Sequence, residues 1–265
     1  MNMILGQFYP TGSILERLDP RTKILCTIIY IVTVFCCDSP ITYGLCIGFF
    51  AGMIIVSRLH FKLLLGGLKG IIFILLFTGI MNLFFISDGR VLIDYAFITI
   101  TTGGVIATAK ICIRIFLLIM FSSMLTLTTK PVQLTVAFEK LLYPFTKIGL
   151  PSHEVAMMMG IALRFIPTLV EELDKIKKAQ MARGASFDEG SFAKRVTANV
   201  PVIIPLFVSS FKRADDLAMA MEARCYRGGT NRTRLNNPVL GSRDYISFVF
   251  VIVFMIFIIC LEYFI

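Results

Sequence analysis

Ala179-Gln180-Met181-Ala182-Arg183-Gly184 recurs forty-one positions later as Ala220-Met221-Glu222-Ala223-Arg224-Cys225. Each copy closes a long helical pattern. Before the first, Ile166, Leu169, Leu173 and Ile176 repeat at 3-4-3 spacing as one apolar stripe. Glu171/Lys175 and Asp174/Lys178 fall i,i+4 on the other face. Before the second, Phe207, Phe211, Ala214, Leu217 and Met221 form the stripe, with Lys212, Arg213, Asp215 and Asp216 opposite. Gly184 supplies the left-handed stop of the first helix, and Gly228-Gly229 breaks the second. Pro167 lies inside one helix, Pro201 and Pro205 inside the other, and an interior proline costs about 3 kcal/mol and forces a kink. Small residues at i,i+3 (Ala179/Ala182, Ala220/Ala223) are expected to let the pair cross as an X or V with its Arg tips splayed.

Working outward, Ser152 caps the first long helix, and Ser186-Phe187-Asp188-Glu189-Gly190 turns into the second. A short amphipathic helix with Val132, Val136, Leu141 and Leu142 precedes them, from Lys130-Pro131 to Gly149-Leu150-Pro151. The flanks are different material. The chain is 57% hydrophobic and 16% charged with no Trp, which excludes an ordinary soluble domain. Apolar runs of near-bilayer length cover Pro20 to Cys37, Ile41 to Val56, Gly70 to Ile86, about Gly103 to Thr128, and Tyr245 to Ile265. Asp19-Pro20 opens the first as N-cap and first helical residue. Met1 to Tyr9 lacks the basic n-region and cleavage site of a secretory signal, so the spans themselves are expected to drive insertion.

The expected fold is therefore all-α and polytopic, with about five transmembrane helices. Residues 1–129 form a membrane domain of four spans, 130–243 a cytoplasmic, membrane-interface domain of one short and two long crossed amphipathic helices, and 244–265 a last span. Arg17, Arg21 and Lys23 precede span one, and Arg58, Lys62 and Lys69 (with His60) separate spans two and three. Asp38 sits in the first connection, and Asp88, Arg90 and Asp94 in the third, which opens at Ser87-Asp88-Gly89. Residues 130–243 carry 17 Lys/Arg against 10 Asp/Glu, so +7 of the chain's +9 lies there. By the positive-inside rule that segment and the N-terminus are cytoplasmic and the C-terminus extracytoplasmic.

Chemistry-bearing motifs are sparse. The seven cysteines form no CxxC, and His60 and His153 have no ligand-spaced neighbours, so no metal site or disulfide framework is expected and the thiols read as buried apolar groups. Lys110 and Arg114 share one face of span four and are expected to face protein, since charge near mid-bilayer costs about 2.5–3.5 kcal/mol. A rival reading is a polytopic enzyme holding Mg²⁺-diphosphate on Asp215-Asp216, but the third Asp is missing and Lys212 and Arg213 stand alongside. No GxxxxGK[ST], GxSxG or HExxH occurs. A permease acting alone would show repeated bundles and broken spans, which this layout lacks.

An Arg in the last helical turn suits the helix dipole, and one such copy would mean no more. Two copies at the ends of otherwise different helices point to a planar guanidinium offered twice to similar partners. Around these copies the chain resembles the transmembrane T component of energy-coupling factor (ECF) transporters. The resemblance runs through Ser13-x-Leu15-x-x-Leu18-Asp19-Pro20-Arg21-Thr22-Lys23 and Thr128-Thr129-Lys130-Pro131. It continues through Leu163-Arg164-Phe165-Ile166-Pro167, Glu171 and both Ala-Arg motifs. Cys225 departs from it, standing where the second motif often has Gly.

The resemblance implies a non-catalytic subunit of an ATP-driven vitamin or micronutrient importer in a prokaryotic cell membrane. Ala182-Arg183-Gly184 and Ala223-Arg224-Cys225 would each meet one of two related cytoplasmic ATPases, which hold the ATP and Mg²⁺; no cofactor is expected in this chain. A separate substrate-binding S component would be tipped through the coupling helices, kinked at Pro167, Pro201 and Pro205. Met157, Met158, Met159, Met219 and Met221 are candidate S-component contacts, since Met-rich surfaces repack against different partners. A T component dedicated to one substrate, such as a transition-metal cation or biotin, is the alternative. Lipid is an expected partner and nucleic acid is not.

Overall fold

The computed structural model describes residues 8–68, 70–85, 90–95, 98–149, 151–187, 191–228 and 240–264. Lys69, Ser87-Asp88-Gly89, Leu150, Asp188-Glu189-Gly190 and Gly229, all named above, lie outside the described residues. The chain divides into two compact units, residues 1–137 with 236–265, and residues 138–235.

The first unit is a helical bundle built on α2 (Pro20–Phe35). Asp19 caps α2 by accepting the Arg21 N–H at 2.9 Å, and Pro20 takes the first helical position, where a missing N–H costs nothing. The last helix, α10 (Ser242–Phe264), lies alongside and parallel to α2. At one end Asp244 Oδ1 accepts the Asp19 N–H (2.7 Å) and Oδ2 accepts the Gly241 N–H (2.8 Å). At the other end Glu262 accepts the Ser39 N–H (3.0 Å) and the Thr42 hydroxyl (2.8 Å), at the start of α3 (Pro40–Ser57). Helix α6 (Thr102–Thr128) runs antiparallel to α2. Lys23 Nζ, buried in α2, donates to Thr128 O (2.9 Å), Thr129 Oγ1 (3.4 Å) and Glu16 O (3.2 Å), the last in the short helix α1 (Ile14–Arg17). The chain thus leaves α6 and enters α10 at the end of the bundle where α2 begins.

The core packs aromatic on aromatic. Tyr30, fully buried, stacks on Phe121 at 4.1 Å and on Phe49 at 5.5 Å, and Phe49 stacks on Phe254 at 4.3 Å. The Tyr30 hydroxyl donates to Cys46 O at 3.0 Å, so its one polar atom is satisfied inside the bundle. Arg114 of α6 faces protein as expected. Its guanidinium donates to Cys37 O (2.8 Å), reaches Asp38 in the α2–α3 turn (3.5 Å), and lies over the rings of Phe35 and Tyr43. Cys26, Cys37 and Cys46 are buried thiols, whereas Cys36, Cys225 and Cys260 are exposed, against the uniform reading of the cysteines.

Three departures from expectation concern the spans. The basic connection after span two is itself helical, α4 (Phe61–Leu68), and meets α5 (Ile72–Phe85) at a 64° bend. The pair packs along α6, where Gly67 faces Ser123 so closely that a Cβ could not fit without Ser123 moving. Beyond α5, β1 (Val91–Tyr95) and β2 (Ile98–Thr101) pair antiparallel as a small hairpin in an otherwise all-helical fold, and Thr101 caps α6 through Gly104 N–H. Finally, α3, α6, α10 and α8 (Ser152–Ala182) are long and apolar enough to cross a membrane, and the α4–α5 pair makes a fifth. Helix α2, at 16 residues about 24 Å long, falls short of that length, yet its N-cap Asp19 is tied to the start of α10, and Ser39, just beyond its far end, is tied to Glu262 near the end of α10.

Candidate partner-binding helix ends

The second unit carries both Ala-Arg motifs. It begins within α7 (Pro131–Leu142), passes through a 3-10 helix (Tyr143–Ile148), and contains α8 and α9 (Phe192–Ala223). Helix α8 starts at Ser152 with Pro151 in the cap position and no side-chain cap bond, so Ser152 is its buried first residue and not the cap. His153 Nδ1 meets Glu139 Oε1 at 3.0 Å, fastening the start of α8 to α7. Both long helices run unbroken through their prolines, Pro167 in α8 and Pro201 and Pro205 in α9.

The two helix ends are built alike. Arg183 is the C-cap of α8 (φ −89°, ψ 8°) and Arg224 the C-cap of α9 (φ −91°, ψ 14°). After Arg183, the Gly184 N–H bonds Met181 O (3.0 Å) and the Ala185 N–H bonds Gln180 O (3.0 Å). After Arg224, the Cys225 N–H bonds Glu222 O (2.8 Å) and the Tyr226 N–H bonds Met221 O (3.0 Å). Each is a complete Schellman ending, which spends the last free carbonyls and turns the chain away from the helix axis. Gly184 holds φ +89° and Cys225 holds φ +55°. The departure at Cys225 therefore leaves the helix ending intact, although an L-residue pays about 1–2 kcal/mol for the left-handed conformation. Both arginines are exposed, as are Ala182 and Ala223. Lys177 lies over the Phe187 ring at 5.2 Å, pinning the turn after the first ending.

A polar contact joins α8 to α9, elsewhere than expected. Ala179, Ala182, Ala220 and Ala223 are exposed and do not make the crossing. Glu172 does: it accepts from the Ser209 hydroxyl and, at 2.7 Å, from Arg213 Nη2. A carboxylate with two donors one turn apart fixes a helix pair more sharply than small side chains, which gain only dispersion contact. The Ser209 hydroxyl, joined by the Arg213 guanidinium and opposed by partial burial, holds the Glu172 carboxyl below its ordinary range. Glu172 belongs to the charged C-terminal half of α8, outside its apolar stretch. Among the described residues neither Glu171/Lys175 nor Asp174/Lys178 closes into an ion pair.

Of the methionines, Met157 and Met221 share a cleft of about 460 Å³ with Ile161, Leu217, Arg224 and Tyr226. Met158, Met159 and Met219 are exposed and lie outside it. Asp215 and Asp216 are exposed, and among the described residues no third His, Cys, Asp or Glu gathers with them into a metal-binding group.

A family model described as "Cobalt transport protein" (CbiQ) matches residues 11–235, which include both arginine endings and the α2 cap. The proteins named energy-coupling factor transporter transmembrane protein EcfT include relatives at high identity. That of Acidaminococcus fermentans is 50% identical over 247 residues, 93% of this chain and 91% of the relative. That of Ruminiclostridium cellulolyticum is 47% identical over 262 residues, 99% and 98% of the two chains. That of Bacillus subtilis is 44% identical over 243 residues, 92% of each. The chain belongs to the EcfT family, the transmembrane components of energy-coupling factor transporters. As an EcfT-family member it is a polytopic membrane protein of a transporter, in keeping with its apolar helices. Sequence reading missed four of the residues that organise the fold: Lys23 as a buried anchor, Asp244 and Glu262 as ties between spans, and Glu172 as the α8–α9 contact. The only prior signal for Glu172 was its alignment with Arg213 in the forty-one-residue repeat.

Proposed function

We propose that this EcfT-family chain couples two cytoplasmic ATPases to a substrate-binding S component, and that Arg183 and Arg224 are its two mechanical grips. The observation that carries the reading is the matched pair of Arg-capped Schellman endings, exposed and alike in backbone geometry although the helices before them differ. Two equal guanidinium tips suit two related partners, each offering a carboxylate or helix-end carbonyls to a bidentate fork. ATP and Mg²⁺ belong to the ATPases, and this chain performs no catalysis. Motion passes through α8 and α9, steered by the prolines at 167, 201 and 205, and the Met157/Met221 cleft with the exposed Met158, Met159 and Met219 meets the S component. Residues 1–129 and 244–265 anchor this machinery in a prokaryotic cell membrane, and 130–243 face the cytoplasm. Parallel α2 and α10, both beginning where α6 ends, support a cytoplasmic N-terminus and an extracytoplasmic C-terminus.

The test is the double variant Arg183→Glu with Arg224→Glu in the native transporter. It should insert normally yet lose its ATPases on purification and lose ATP-dependent uptake. Retained ATPases with normal uptake would sink the reading. A second reading, a T component dedicated to one cation, draws on the description of the matched family as a cobalt transport protein. Affinity purification from native membranes separates the two: several S components indicate a shared T component, and a single one indicates a dedicated chain.

A further inference from the structure

Glu172 and Arg213 are forty-one residues apart, and so are Arg183 and Arg224. The contact that joins α8 to α9 therefore falls at the same place in both copies of the repeat. From 172 to 183 and from 213 to 224 each helix runs eleven positions, about 16 Å at 1.5 Å per residue. We infer that Glu172 is the pivot pin of a local two-fold arrangement, a positioning residue that sets two equal arms and holds the arginine tips at one fixed separation. The inference rests on the grip reading proposed above.

Charge explains why the repeat diverges here. On a two-fold axis equivalent residues meet each other, so a faithful repeat would press like charges together. The repeat instead inverts sign, Glu171-Glu172 in one copy standing at the place of Lys212-Arg213 in the other. Opposite charges at equivalent positions turn a repulsive meeting into a charge-assisted bond. Ser209, one turn before Arg213, gives the same carboxylate a second donor, so slip along α9 and rotation about it both break a bond. A partly exposed ion pair adds little to stability, so its consequence is geometric.

The experiment measures tip separation by pulsed electron paramagnetic resonance on the full reconstituted chain. Spin labels sit at the exposed native Cys225 and at Ser186→Cys, with the other cysteines replaced by Ala. The unsubstituted crossing should give one narrow distance distribution. Glu172→Gln and Glu172→Ala should broaden it at least twofold, and the swap Glu172→Arg with Arg213→Glu should restore it. In the assembled transporter, Glu172→Ala should keep its ATPases while uptake per ATP hydrolysed falls about tenfold. An unchanged width in the inserted Gln and Ala variants, or a swap that inserts but stays broad, overturns the pin. Because the distance is read without ATPases, its outcome is independent of the tip-charge reversal. If Arg183→Glu with Arg224→Glu still retains ATPases, the grip reading falls while the pin is judged on the distances alone.

Discussion

Gly184 and Cys225 occupy the same left-handed position, one residue after an arginine C-cap, at φ +89° and +55°. One suits its backbone and the other does not. Nothing lies within 4 Å of a Cβ built at Gly184, so strain there is purely conformational.

Opposite signs are therefore expected from two small substitutions. Cys225→Gly should raise thermal stability in detergent by about 0.5–1 kcal/mol, the left-handed strain relieved less the extra freedom of Gly in the unfolded chain. Gly184→Ala should lower it by about 1 kcal/mol. Equal shifts of the same sign in unfolding scans would contradict the matched endings.

The arginines are expected to resist conservative exchange. A lysine ammonium keeps the charge but loses the planar fork. Arg183→Lys and Arg224→Lys should each weaken ATPase retention about tenfold, or about 1.4 kcal/mol, measured by titrating purified ATPases onto the reconstituted chain. Full affinity with Lys at both positions would mean that charge alone, and not the fork, makes the contact.

The two carboxylates that tie α10 to its neighbours act at opposite ends of the bundle. Asp244→Ala leaves the buried Asp19 N–H without its acceptor, and Glu262→Ala does the same to the Ser39 N–H, whereas the Thr42 hydroxyl keeps Ser39 O at 2.7 Å. Each should cost about 1–3 kcal/mol, the penalty for unpaired buried donors. Being far apart, the two losses should add within about 0.5 kcal/mol in denaturation of the double variant. Strong non-additivity would show that the ends of α10 do not act independently.

Which of these features could be read beforehand follows from how local each one is. Asp19-Pro20, Gly184 and the two Ala-Arg endings are decided within a turn or two of chain, where capping and backbone conformation dominate, and they were legible. The apolar runs are equally local, and all five fall on helices of about the expected bounds. Glu172 was hidden because its partners are thirty-seven and forty-one residues away, while nearer charges at i,i+4 offered a plausible but unmade pairing. Asp244 and Glu262 carry no local signal of their role, since nothing in sequence says which span lies beside α10. The hairpin of β1 and β2 links two helices and is too short for a periodic signal. The 16-residue α2 passed as a full span only because hydropathy does not register where caps begin and end.

The last prediction concerns sidedness, and the native cysteines provide it. Cys36 caps the far end of α2 beside the Asp38 turn, and Cys225 follows the second arginine; both are exposed. If α2 begins at the cytoplasmic face, a membrane-impermeant maleimide applied to intact cells should modify a chain retaining only Cys36. A chain retaining only Cys225 should react only after permeabilisation. The buried Cys46, retained alone, should stay unmodified in both conditions and serves as the control for unfolding. Reversed labelling of Cys36 and Cys225 would invert the proposed topology. Labelling of both from outside would remove the arginine endings from the cytoplasm, and with them any contact with ATPases.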